Sequence, residues 1–221
     1  MKPVTLVAVN AGLSEPSSTR MLVDRLTDDA ASVVRSQGGD VDVQIIDLRD
    51  LAVDIGRSLA TGFATGAAGD AIRSVQDADA LIVATPVFNA SYSGLFKSFF
   101  DLVDVDAMEG KPVLIAATGG SPRHSMVLDH ALRPLFGYLR TVVVPTGVYA
   151  ASEDWASTSG DTATLSDRIR RAATQLVALM PTGTGRRAVA SQASDADRGE
   201  QRIHAGEEAG IANFARLLAG D

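Results

Sequence analysis

The 221-residue chain contains no cysteine. That excludes disulfides, thiolate metal sites, iron–sulfur clusters and thiol redox chemistry, so any redox role needs a bound cofactor. Positive charge is in deficit too. Twenty Lys and Arg face 27 Asp and Glu, a formal net charge of −7, which argues against a nucleic-acid or anionic-membrane partner. No apolar run approaches the roughly 18 to 20 residues of a membrane span. The opening run Val4 to Val9 is too short for a secretory signal, and a cytoplasmic protein is the expectation. The three histidines, His124, His130 and His204, show no H-E-x-x-H or comparable metal spacing. No G-x-S-x-G nucleophile elbow is present, which argues against a hydrolase.

What is there is a soluble-type composition, 46% hydrophobic and 21% charged, at a length that one domain can fill with a real core. Five apolar, β-branched runs recur: Val4 to Val9, Val41 to Ile46, Ala80 to Thr85, Pro112 to Ala117 and Thr141 to Pro145. Runs apolar on both faces suit a parallel sheet covered by helices on each side. Between them the spacing predicts a helix from Ser18 to Arg35, with Leu22, Leu26, Ala30 and Val33 on one stripe and Gly38-Gly39 as its stop. Gly62 to Gly69 reads as a loop before a short helix from Asp70 to Gln76. A fourth helix fits Met126 to Tyr138. A fifth fits Thr164 to Met180, with Leu165, Ile169, Ala172, Leu176 and Leu179 as its apolar face. Composition shifts after Met180. Pro181 to Gly185 reads as a linker and Arg186 to Gly210 is polar, before a last apolar group of Ile211, Phe214, Leu217 and Leu218. Two readings stand for this end: a free tail, or an arm docked on its own core or on a neighbouring subunit.

Three turns at strand ends carry the candidate chemistry. Thr85-Pro86-Val87-Phe88-Asn89-Ala90-Ser91-Tyr92-Ser93-Gly94 follows the third run and precedes an amphipathic stretch. It offers amides, hydroxyls and two rings, but no carboxylate or histidine, and suits a flat polar ligand. The first turn, Asn10 to Arg20, is neither a G-x-G-x-x-G nor a G-x-x-x-x-G-K-[ST] loop. It places Ser14, Ser17, Ser18 and Thr19 where a helix starts. Helix N-termini attract anions, so these hydroxyls either hold a phosphate or simply cap the helix. The third turn is Thr118-Gly119-Gly120-Ser121-Pro122-Arg123-His124. Its paired glycines permit close approach to a ligand or a positive φ. In an open parallel sheet these turns converge at the strands' carboxyl ends, where ligands bind.

These residues resemble the NADPH-dependent FMN reductases, a flavodoxin-like family, and within it the members that feed reduced flavin to two-component, luciferase-like monooxygenases. The matching pieces are Thr85-Pro86-Val87-Phe88 with Ser91 to Lys97, Gly110-Lys111-Pro112-Val113 before Ala117-Thr118-Gly119-Gly120, and Asp129 to Leu135. The resemblance covers residues 3 to 180. It implies a doubly wound α/β fold with a five-stranded parallel sheet in the order 2-1-3-4-5. Residues 1–180 would form the FMN-binding reductase domain, and residues 181–221 a linker and tail. Ser14, Ser17, Ser18 and Thr19 would hold the FMN phosphate. Pro86, Val87, Phe88 and Asn89 would flank the isoalloxazine, Thr118, Gly119 and Gly120 would contact its far edge, and Ser91 and Ser121 are further cofactor-binding candidates. Where the family reads Gly-Ser-x-Arg, this chain has Gly12-Leu13-Ser14-Glu15, which makes Arg20 the candidate to neutralise the phosphate. Apart from the resemblance, alternatives stand open for three residues: His124 either touches a flavin or nicotinamide phosphate or has a solvated or capping role, and Arg123 as reader of a 2′-phosphate and Trp155 as cover of the flavin edge are the less favoured readings of each. Some relatives insert a Tyr where His130 stands, at a helix distortion in the subunit interface.

The reaction implied is hydride transfer from NAD(P)H to FMN, carried by the two cofactors with no metal and no side-chain acid or base. Reduced FMN would leave for a flavin-dependent monooxygenase. The alternatives are an FMN-retaining quinone, azo-dye or metal-ion reductase, or a flavodoxin-type electron carrier. A homodimer or homotetramer is implied as well, with Leu128, Leu132 and Leu135 on the fourth helix as its candidate interface.

Overall fold

In the computed structural model the described residues are 3–155 and 164–180. The chain divides into two units, Met1–Thr184 and Gly185–Asp221, and every described residue belongs to the first. The linker and tail, with Ile211, Phe214, Leu217 and Leu218, lie outside the described residues. In chain order the elements are β1 (Val4–Asn10), α1 (Ser18–Ser36), β2 (Val41–Asp47), α2 (Ala52–Thr61), α3 (Gly66–Asp77), β3 (Ala80–Phe88), β4 (Ser91–Tyr92), α4 (Gly94–Phe100), α5 (Val105–Met108), β5 (Pro112–Gly119), α6 (Arg133–Tyr138), β6 (Val142–Val143), β7 (Val148–Ala151) and α7 (Leu165–Leu179).

The sheet runs β2-β1-β3-β5-β6, with β7 also paired to β5 and β4 paired to β3. All pairs are parallel except β3–β4. Residues alternate between two layers, as the period of a pleated strand requires. Val7, Val9, Leu81, Val83, Val113 and Ile115 pack in one cluster with α3, α4 and α6. Leu6, Ala8, Ile82, Ala84, Leu114 and Ala116 pack in the other with α1 and α7. Four phenylalanines, Phe96, Phe99, Phe100 and Phe136, fill the first layer with almost no exposure. Each contributes about 1.5 to 3 kcal/mol by its burial.

The sheet therefore has seven strands where five were expected. A tight hairpin at Phe88–Ser91 adds β4. The expected fifth strand, Thr141 to Pro145, holds only β6. Pro145 has no N–H for the ladder, and the Thr146 N–H donates to Gln175 Oε1 at 2.9 Å. The chain rejoins β5 as β7, from Ala116↔Val148 to Gly119↔Ala151. The stretch that matters more for the carboxyl end of the sheet thus lies beyond the run read from sequence.

Helix α1 matches its expected span. Ser17 caps it, accepting from the Arg20 N–H at 3.2 Å, and Gly38 ends it at φ 77. Helix α2 was not anticipated. It buries only Ile55 and Ser58, too little for a visible apolar stripe. Helix α3 begins four residues before Asp70, inside the expected loop. Gly69 lies there because a Cβ would stand 2.8 Å from the Ala64 carbonyl oxygen. The expected helix from Met126 to Tyr138 is in three pieces: a 3-10 turn at Pro122–Met126, a π-helical turn at Leu128–Leu132 and then α6. Pro134 cannot donate to the His130 carbonyl four residues back, and the widened turn lies directly before it. Leu128 and Leu132 are buried within this chain's own core, so they cannot form the subunit interface assigned to them. On α7, Leu179 is 43% exposed and leaves the apolar face to Leu165, Ile169, Ala172 and Leu176.

Lys111 stands at the amino end of β5 with its side chain buried. Its Nζ donates to the carbonyls of Gln76 and Ala78 at 2.8 and 2.6 Å, closing the carboxyl end of α3. Burial lowers its pKa, against the pull of Asp79 and Asp77. Lys111→Met should leave those carbonyls unpaired and lower the unfolding free energy by about 1 to 3 kcal/mol. Denaturant melts give the check; an unchanged midpoint would deny the Lys111 cap any role in stability.

Candidate active site

Parallel pairing brings the three turns together. The register sets Asn10 beside Ala84 and Pro86 beside Thr118, so the loops after β1, β3 and β5 leave the sheet side by side. Two small side chains fasten the first turn to the third. The hydroxyls of Thr19, on the first turn of α1, and Thr118, at the end of β5, share a hydrogen bond of 2.7 Å across 99 positions of sequence. Both are buried. In the β3 turn, Thr85 Oγ1 accepts from the Ser93 N–H at 2.9 Å and donates to the Pro86 carbonyl at 3.0 Å. Ser93 in turn caps α4, accepting from the Phe96 N–H at 3.2 Å.

The first loop is folded against its own strand. Asn10, buried at the end of β1, accepts from the Gly12 N–H at 3.0 Å and donates to Asp47 Oδ1 at 2.7 Å. A Cβ on Gly12 would collide with Ser17 Oγ. Arg20 completes this frame: its Nε donates to Asp24 at 2.8 Å and its Nη1 to Asp47 at 2.5 Å. Those hydrogen bonds, Asp24's first, raise its pKa further. Arg20, the candidate to neutralise the phosphate, is thus a strut between α1 and β2 with Nε and Nη1 already engaged. Thr19 likewise spends its hydroxyl on Thr118. Ser14 and Ser18 are exposed and Ser17 is half-buried at the cap, leaving Ser14 and Ser18 with the most open hydroxyls at the amino end of α1.

The β3 turn is a two-residue hairpin. Val87 pairs with Tyr92 and Phe88 with Ser91, while Asn89 and Ala90 take φ 48 and φ 65. Such hairpins favour glycine at the second position, and alanine there is strained. Pro86, Val87 and Ser91 are half-buried. The Phe88 ring is 46% exposed, although four other phenylalanines of this chain are fully packed. Tyr92 stacks on Phe96, ring centroids 5.8 Å apart, and anchors the hairpin to the core.

At the third turn the two glycines differ. A Cβ on Gly119 would collide with Tyr149 Oη and come within 3.6 Å of His124 Nδ1. The Tyr149 hydroxyl donates to the Ser121 carbonyl at 2.7 Å, and burial, then Asp154, raises its pKa. Gly119 is therefore small to admit Tyr149. Gly120 has nothing within 4 Å of a Cβ, and open space lies before it. Neither has a positive φ. His124 and Arg123 are exposed on the following turn. Trp155 packs against the α1–α7 layer, with Arg25, on α1, 5.8 Å from its ring centroid. Asn10, Asp47 and Tyr149 escaped the sequence reading. Asn10 alone had a signal, a polar residue closing an apolar run.

Gly119→Ala should lower the unfolding free energy by about 1 to 3 kcal/mol through overpacking. Tyr149→Phe in the same chain should restore part of it, and Gly120→Ala should melt like the wild type. If Gly119→Ala is as stable as the wild type, Tyr149 does not fix that approach. Ala90→Gly should stabilise by about 0.5 kcal/mol, since relief of the left-handed strain exceeds glycine's chain-entropy cost. Thermal melts decide it, and a lower melting temperature would count against strain at the hairpin.

Comparison with known proteins meets this geometry. The sequence pattern of the NADPH-dependent FMN reductase family matches residues 4–156. The chain is 40% identical over 171 residues to an FMN reductase (NADPH) of Pseudomonas aeruginosa, covering 77% of this chain and 89% of that one. It is 39% identical over 177 residues to the NADH-dependent FMN reductase SfnE of Pseudomonas putida, covering 80% and 92%. Among solved structures, an oxidoreductase from Corynebacterium diphtheriae matches with TM-score 0.77 at 46% identity, over 81% of this chain and 98% of that one. A flavodoxin, WrbA-like protein from Agrobacterium tumefaciens shares the fold at TM-score 0.54 and 17% identity, over 80% and 98%. The α/β fold is thus flavodoxin-like, and the chain belongs to the NADPH-dependent FMN reductase family.

Proposed function

We propose that this protein binds FMN across the three fastened loops and catalyses its reduction by NAD(P)H. The observation that carries the reading is the Thr19–Thr118 bond. It ties the amino end of α1 to the end of β5 beside Gly120, and the pairing of Pro86 with Thr118 brings the hairpin with the exposed Phe88 ring to the same edge of the sheet. That set fits a flavin mononucleotide: first-turn amides with Ser14, Ser17 and Ser18 for the phosphate, Pro86 to Ser91 for one side of the ring system, and Gly120 with Ser121 for its far edge. Thr118 and Gly119 shape that edge from behind. When bound, the flavin accepts hydride from the nicotinamide. The chain's own residues orient the two rings and hold them in register, which is where the protein's share of such a reaction lies.

The cleft is open. Ser14, Ser18, Phe88 and Gly120 are all exposed, which supports a flavin that comes and goes as substrate, with reduced FMN delivered to a flavin-dependent monooxygenase. The core of the sheet order, with β4 and the split of the last strand set aside as local additions, supports the 2-1-3-4-5 arrangement. A homo-oligomer is supported by exposed Met126, Tyr138 and Val142 around α6. Among the described residues no helix is long and apolar enough to cross a membrane. A cytoplasmic enzyme that needs no metal is part of this proposal.

Anaerobic mixing with FMN and either nicotinamide should bleach the flavin absorbance, and no bleaching with either would reject the reading. Ser18→Ala should weaken FMN binding by about 1 to 3 kcal/mol, the worth of a hydrogen bond to a charged group. Titration calorimetry checks it, and unchanged affinity with the fold intact would move the phosphate elsewhere.

A further inference from the structure

The first loop carries an acid where a phosphate site gains from a base. Glu15 is 82% exposed, and its Oε2 accepts from Arg49 Nη1 at 3.3 Å. Arg49 belongs to the 3-10 turn Leu48–Leu51 that follows β2, so this contact joins two strand-end loops. Arg49 is 43% exposed, and its Nε lies 3.6 Å from Asp50 Oδ1. The neighbouring cation, Arg20, is bound by two separate carboxylates. In this corner Arg20 and Arg49 face Glu15, Asp24, Asp47 and Asp50. A dianion entering without any exchange of partners would meet an excess of negative charge.

We propose that Arg49 reads the phosphate monoester of the flavin, and that Glu15 holds Arg49 beside the loop until the phosphate takes it. The inference rests on FMN being the ligand of the first loop. The pair with Glu15 is exposed, joined by one long contact, and therefore weak and open to screening. A phosphate monoester brings nearly twice the charge of a carboxylate and three acceptor oxygens that suit the guanidinium fork. Exchange favours the phosphate at Arg49. At Arg20 it does not, because Nε and Nη1 are each already engaged at 2.8 and 2.5 Å. Glu15 then moves away from the anion, and riboflavin, without a phosphate, triggers no exchange.

The test titrates FMN and riboflavin by flavin fluorescence into the full-length wild type, Arg49→Gln, Arg49→Lys and Glu15→Gln. Arg140→Gln serves as a charge control, since Arg140 pairs with Asp106 before β6, at the opposite end of the sheet. Arg49→Gln should lower FMN affinity about tenfold and leave riboflavin within about twofold, as loss of one charge-assisted pair requires. Arg49→Lys should fall between, keeping the charge and losing the fork. Glu15→Gln should tighten FMN severalfold without affecting riboflavin, and both FMN effects should shrink as salt rises. The proposal is overturned if Arg49→Gln keeps the wild-type ratio of FMN to riboflavin affinity, if Arg140→Gln changes that ratio as much, or if Glu15→Gln weakens FMN. A changed preference between NADPH and NADH with an unchanged flavin ratio overturns the assignment to flavin. A wild type that binds neither flavin overturns this proposal and the flavin reading together, whereas normal FMN binding with an unshifted ratio overturns this one alone.

Discussion

The amino end of α1 has to lie close upon the carboxyl end of β5, although β3 stands between β1 and β5 in the sheet. Everything at the site depends on that approach. The face beneath α1 permits it because its upper positions on the central strands are alanines: Ala84 on β3 pairs with Ala116 on β5, and Ala150 on β7 pairs with Thr118, all three alanines in the α1–α7 layer. One step lower on the same two strands the paired residues are larger, Ile82 and Leu114. The small side chains above them let the start of the helix lie within reach of Thr118. The Thr19–Thr118 bond then satisfies two hydroxyls that would otherwise be costly to bury. A larger residue at Ala84 or Ala116 would lift the helix, break that bond and part the first loop from the third.

Around this joint the side chains divide their labour. Buried and half-buried polar groups bond to one another and to the backbone: Asn10 to Gly12 and Asp47, Arg20 to Asp24 and Asp47, Thr85 to Ser93, Tyr149 to Ser121. They make the frame, and a satisfied network of this kind specifies one arrangement of its loops. What faces outward is simpler: helix-start hydroxyls, one phenyl ring, a bare Gly120. The strained pair Asn89-Ala90 lies on that outward side. Strain there costs stability, and the hairpin keeps it because the ladder from Val87 to Tyr92 and the stack of Tyr92 on Phe96 hold both ends.

Most of this frame was invisible in the sequence, for a physical reason. Apolar runs and helix stripes are local signals, and they located β1, β2, β3, β5, α1 and α7 closely. The three ligand-type turns were equally legible, because turn chemistry is local as well. Which residue within a turn faces outward is decided by partners far away in sequence. Thr19 and Arg20 look like phosphate ligands until Thr118 and Asp47 occupy them. Gly119 looks like a ligand contact until Tyr149 fills the space, and Tyr149 lies on a strand hidden behind Pro145. Helix α2 buries too little to show a period, and the π-helical turn follows from Pro134, whose effect falls on residues before it.

The same division bears on what kind of catalyst this frame can be. Hydride transfer between two bound rings asks for alignment more than for proton donors. The hairpin from Pro86 to Ser91 offers none, and Glu15, the carboxylate of the first loop, is turned toward Arg49. Alignment needs loops that do not shift relative to one another, and here they are joined by short bonds between side chains on different strands and helices. The Thr19–Thr118 bond among them is buried, so it holds the two loops from beneath the exposed hydroxyls and ring. A frame closed below and open above suits a protein that must orient a flavin for one reaction and then release it.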